Sequence, residues 1–109
     1  MTLKELLSSK APKPVILDTD TYNEVDDQYA LAYAMRSADR VKLLAITVAP
    51  FRNSRAATPA EGMEKSYAEA IHIRSLVDPA SRVPIYRGSD RYLPSATAPV
   101  ESDAANAIV

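Results

Sequence analysis

The chain of 109 residues has no cysteine, a single histidine, almost no net charge and no apolar run of membrane-spanning length. Each absence removes a class of answer. Without thiols there is neither a disulfide framework nor a thiolate metal centre. A formal net charge of −1 gives no electrostatic footing for nucleic acid or an anionic membrane. Residues 1–14 hold Lys4, Lys10 and Lys13 but only Leu3 and Leu6-Leu7 as large apolar groups before Pro12, too little for the apolar core of a signal peptide. A cytoplasmic protein is the expectation. His72 falls within a helical pattern far along the chain from the acidic segment described below, and is read as a surface or packing residue rather than a catalyst.

What is present fits one packed domain, 1–109, with 1–13 as a lead-in helix and linker. Leu3, Leu6 and Leu7 have helical spacing, and Pro12 and Pro14 forbid continuation. Pro14-Val15-Ile16-Leu17 reads as a short strand covered on both faces of a parallel sheet. Ala30, Leu31, Ala34 and Met35 form a helical stripe over 28–35. The run 41–48, VKLLAITV, is a second strand that completes a βαβ unit. A loop over 49–59 leads to a helix over 61–77, with Met63, Tyr67, Ala70, Ile71, Arg74 and Val77 on one stripe and Asp78-Pro79 ending it. Residues 82–86 predict a third strand before the Gly88-Ser89 turn. Residues 92–99 read as irregular, and 101–109 as a last helix. The order βαβαβ predicts an α/β, Rossmann-like parallel sheet with flanking helices, whose ligands bind beyond the carboxyl ends of the strands.

At one such end stand five acidic residues within ten positions: Asp18, Asp20, Glu24, Asp26 and Asp27. Carboxylates crowded at the end of a buried strand repel one another and lose solvation, so a cation, protons or many donors must compensate. A hard divalent ion is the simplest compensation for a cluster of oxygen ligands. Helix capping by Asn23 or Asp26 explains part of the group. It leaves Asp18 and Asp20, which follow the apolar strand and would point to the same side if it continued. An EF-hand loop beginning at Asp18 fails, because its sixth position is Asn23 rather than Gly and its twelfth is Tyr29 rather than Glu.

The segment VILDTDTYNEVDDQYALAYAM resembles the N-terminal metal motif of the nucleoside hydrolases, the inosine-uridine-preferring family, whose usual form is DTDPGIDDxxAL. Thr21-Tyr22-Asn23-Glu24-Val25 replaces its Pro-Gly turn and following apolar residue, as in a divergent branch. LLAITVAPFRNS is similar to the family's LxxITTVxGN segment. The resemblance implies calcium-dependent hydrolysis of the N-glycosidic bond of ribonucleosides in purine or pyrimidine salvage. It implies Ca2+ ligated by Asp20 and Asp27, with Asp20 also catalytic as the base that takes a proton from the attacking water. It further implies Asp26 on a ribose hydroxyl, Asn53 as a substrate contact and Asp18 supporting the cluster from behind. Arg52 and Arg55 border the substrate loop, and Tyr22 and Asn23 stand beside it.

The family's remaining metal ligands and its leaving-group His lie further along its chain, so the resemblance implies the N-terminal segment of a larger nucleoside hydrolase fold, inactive alone. Its expected partners are a nucleoside and either further copies of the chain or the remainder of a parent protein, with no nucleic acid and no membrane. Two alternatives stay open. Asp18-Thr19-Asp20 with Thr47 also resembles a haloacid-dehalogenase-like, Mg-dependent phosphatase, which leaves Asp26-Asp27 unexplained. A non-catalytic metal or sugar binding module would use the same oxygens without turnover.

Overall fold

The computed structural model describes residues 1–109 as α1 (Leu3–Ser8), β1 (Lys13–Thr19), α2 (Val25–Met35), β2 (Val41–Val48), α3 (Pro59–Val77), β3 (Ile85–Arg87) and α4 (Asp103–Ile108). The strands form one parallel sheet in the order β1-β2-β3, as the βαβαβ reading requires. No helix is long and apolar enough to cross a membrane.

Local chemistry sets the helix ends. Thr2 and Glu5 make a reciprocal capping box at α1. Thr58 caps α3 through the Glu61 N–H, with Pro59 in the first turn where its missing N–H costs nothing. The α2 stripe begins three residues earlier than its apolar spacing indicates, at Val25, which brings Asp26 and Asp27 into the first helical turn. Neither Asn23 nor Asp26 caps it: Glu24 occupies the cap position without a side-chain bond.

Leu31 of α2, Ile46 and Val48 of β2, and Met63 and Ala70 of α3 form the buried core, flanked by Leu17, Leu43, Tyr67 and Ile85. One face of the sheet meets α2 and α3. The expectation that β1 is covered on both faces is not met. Along β1 exposure alternates, with Val15, Leu17 and Thr19 inward and Pro14, Ile16 and Asp18 outward. A register shift between Val15 and Ile16 leaves Leu44 outside the pairing and 46% exposed, after which Ala45 to Val48 are all buried. Two-sided cover therefore reaches only the carboxyl half of the central strand. β3 is shorter than predicted, because Pro84 lacks the N–H needed to extend the ladder.

The two glycines sit where backbones nearly touch. A Cβ on Gly62 would lie 1.9 Å from the Phe51 carbonyl oxygen, and one on Gly88 would lie 2.0 Å from that of Val48. The two approaches press the end of β2 and the loop after it against their neighbours, and so fix where the second strand-end loop stands. α1 has no buried residue, with Leu3 and Leu7 both largely exposed.

Candidate functional site

β1 and β2 run parallel, so the loops that follow them emerge at the same edge. The Ala49 N–H donates to the Thr19 carbonyl at 2.8 Å and joins those loops at their roots. Residues 20–24 then turn tightly, with the Asn23 N–H bonded to the Asp20 carbonyl at 2.7 Å.

Asp27 reaches back from α2 across this turn. Its Oδ2 accepts the Thr19 hydroxyl at 2.7 Å and the Asp20 backbone N–H at 3.1 Å. Thr19 and Thr21, both buried, share a hydroxyl contact of 3.1 Å beneath it. The other side of the turn is tied to α3, where the fully buried Ser66 Oγ accepts the Tyr22 N–H at 3.1 Å. No buried side-chain polar atom in the molecule lacks a partner, so the loop is held in place by the chain itself.

On this frame the Asn23 amide donates to Asp20 Oδ2 at 2.8 Å, and Asn53 Nδ2 donates to Asn23 Oδ1. Arg55 closes the arrangement: its guanidinium donates to the Asn23 carbonyl and its N–H to Asn53 Oδ1, the latter at 2.8 Å. Asp20, Asp27, Asn23 and Asn53 thus form one connected polar group drawn from both strand-end loops and the first turn of α2.

Burial raises the Asp20 carboxyl above the ordinary aspartate value of 3.8; the Asn23 hydrogen bond opposes the rise, and the adjacent Asp27 carboxylate adds to it. None of the chain's ion pairs involves Asp18, Asp20, Asp26 or Asp27. Two neighbouring carboxylates without a basic partner suit a hard, oxygen-liganded cation. The fit is partial. No group of three or more His, Cys, Asp or Glu side chains gathers here, and calcium takes six to eight oxygens, so Asp20 and Asp27 can supply only part of a shell.

Asp18 and Asp20 take different hydrogen-bond partners. β1 continues to Thr19, placing Asp18 on the exposed face, where its Oδ1 accepts the Thr47 hydroxyl at 2.8 Å from the facing position on β2. Asp26 is exposed and lines a groove on the outward side of α2 with Tyr29 and Tyr33; no hydrogen bond joins it to Asp20 or Asn53. His72 is exposed on α3, in line with its reading as a surface residue. Glu61 and Lys65 pair along α3 at 2.9 Å, as expected of helix electrostatics.

Sequence reasoning gave Asn23 and Arg55 only a position near the site, whereas both are central to its hydrogen bonding. Ser66 it missed altogether. The available signal is a hydroxyl on the same stripe as Met63 and Ala70, where a polar residue on an apolar face needs a partner from elsewhere. An apolar hollow lined by Met35, Val41, Leu43 and Val83 lies at the opposite end of the sheet and shares no residue with the acidic group. Comparison of the chain with protein-family models, curated proteins and solved structures finds no match.

Proposed function

We propose that this chain carries the cation-binding, acidic part of an enzyme that hydrolyses the N-glycosidic bond of ribonucleosides. The observation that supports the reading is the joining of Asp20 and Asp27, without a basic partner, to Asn23 and Asn53 at the carboxyl ends of β1 and β2. Asp20 and Asp27 hold Ca2+. Bound there, the ion supplies Lewis acidity toward a water and toward the sugar's vicinal hydroxyls.

The chain's own groups do the rest. Asp20 is the base that receives the proton of the attacking water. Asp27 keeps the Asp20 backbone still, and Asn23 fixes its carboxylate. Asn53, oriented by Asn23 and the Arg55 N–H, faces the substrate as a hydrogen-bonding group. Water then adds to an anomeric carbon of oxocarbenium character as the base departs, and no covalent enzyme adduct forms. The rest of the ion's shell and the acid for the leaving base belong to a complementary part of the full enzyme, so this chain alone binds calcium weakly and does not turn over.

The phosphatase reading keeps one supporting observation, the Thr47 hydroxyl on Asp18. It gives no role to Asp27, which the hydrolase reading uses. Calorimetry with calcium chloride tests the ion site: binding by the chain should vanish in Asp20→Ala and Asp27→Ala and persist in Asp18→Asn. Free base and ribose from a nucleoside, released by the full enzyme, supports the hydrolase. A phosphoryl adduct on Asp18 overturns it, and calcium binding by the full enzyme without turnover of any nucleoside leaves a binding module.

A further inference from the structure

α2 presents an unpartnered outward face. Tyr29 and Tyr33 stand one turn apart on it and are 71% and 78% exposed, in a groove completed by Asp26, Ala30, Ala32 and Arg36. Two adjacent aromatic side chains left in water are unusual for a monomer surface. The arrangement has a symmetry that a generic apolar patch lacks. Asp26 and Arg36 stand at equal separations on either side of Leu31, as do Tyr29 and Tyr33, and Ala30 and Ala32.

We infer that this face is a self-complementary interface on which a second copy of the chain docks, α2 antiparallel to α2 about a two-fold axis beside Leu31. A two-fold contact brings each residue against its mirror position, so a surface fits itself only if charges of opposite sign exchange places. Here they do: Asp26 of one copy meets Arg36 of the other, twice over, and Tyr29 meets Tyr33. Neither charge has an ion-pair partner within its own chain. The tyrosines pack across the seam and set the spacing of the two helix axes, and the small Ala30 and Ala32 beside them leave the rings room. The helix dipoles run opposite, with Asp26 at the positive end and Arg36 at the negative end of its own helix. Leu31 points into the core and is fully buried, so the outward face is held rigidly for docking.

Sedimentation equilibrium of the full chain over a wide concentration range tests this. The expected result is a reversible monomer–dimer equilibrium, with Arg36→Asp and Asp26→Arg each weakening association about tenfold or more. The double variant, which restores opposite charges across the axis, should return to within about threefold of the original affinity. Tyr33→Asp should abolish the dimer. A chain that is monomeric at every concentration overturns the inference. So does association that ignores both single reversals, or that the double reversal fails to rescue.

Discussion

Asp27, in the first turn of α2, accepts a hydrogen bond from the backbone N–H of Asp20 at 3.1 Å, so one acidic residue fixes the loop that carries the other. The same oxygen takes the Thr19 hydroxyl at 2.7 Å, anchoring the start of the helix to the end of β1. The acidic segment is therefore a built corner, in which part of the negative charge is structural and part faces outward.

Substitutions at Asp27 should separate the two roles. Asp27→Ala strips the acceptor from a buried hydroxyl and a backbone N–H and should cost about 1–3 kcal/mol of stability. Asp27→Asn keeps an oxygen in place and should cost about 1 kcal/mol or less. Calcium binding should be lost in both. Urea denaturation beside calorimetry measures the split, and equal destabilisation by Ala and Asn would contradict the anchoring role.

Asp20 sets the sign of a pH effect. Because its folded-state value lies above the ordinary 3.8, the native state holds the proton more tightly than the unfolded chain. Below that ordinary value both states are protonated and the residue contributes nothing. As pH rises through 3.8 and then through the higher folded value, the native state carries a partly dehydrated carboxylate and loses stability, and the loss is complete above it. In chelator-containing buffer, Asp20→Asn should raise the urea midpoint at neutral pH, and the gain should disappear in strong acid. A variant less stable than the parent at neutral pH would reverse the assignment.

Ser66 should matter to the loop more than to the core. Ser66→Ala removes the acceptor of the Tyr22 N–H and should cost about 1 kcal/mol, with faster hydrogen exchange confined to Tyr22 and its neighbours. Calcium affinity should fall as the turn loosens. Unchanged exchange at Tyr22 would show that Ser66 does not hold the loop.

Gly62→Ala runs against helix propensity. Alanine is the better helix former by about 1 kcal/mol, yet its Cβ would fall 1.9 Å from the Phe51 carbonyl oxygen, and backbone cannot yield as a side-chain tip can. A net loss of about 2–3 kcal/mol is expected, read from urea or thermal unfolding. A neutral or stabilising result would mean that the loop after β2 is free to shift.

The inward, forward and outward sides of α2 make different contacts. Leu31 faces the core, Asp27 faces the β1 corner, and Tyr29 and Tyr33 face water. An offset of two residues, about 200° around the helix, puts Leu31 on the face opposite Tyr29 and Tyr33.

The sequence alone determined the order of elements, the parallel sheet and the presence of a carboxylate-rich strand end, because periodicity and side-chain chemistry are local properties. VKLLAITV gave β2 its observed span, and the stripe from Met63 to Val77 gave the body of α3. Tertiary structure decided the rest. Which partner Asp18 finds depends on how far β1 pairs with β2: the ladder reaches Thr19, so Asp18 stands beside Thr47 and accepts its hydroxyl. Which residues bind the acidic loop depends on contacts between segments tens of residues apart, as with Ser66 under Tyr22 and Asn53 and Arg55 on Asn23. Spacing along a chain records which face a residue takes on its own element; only the packing of elements brings those faces together.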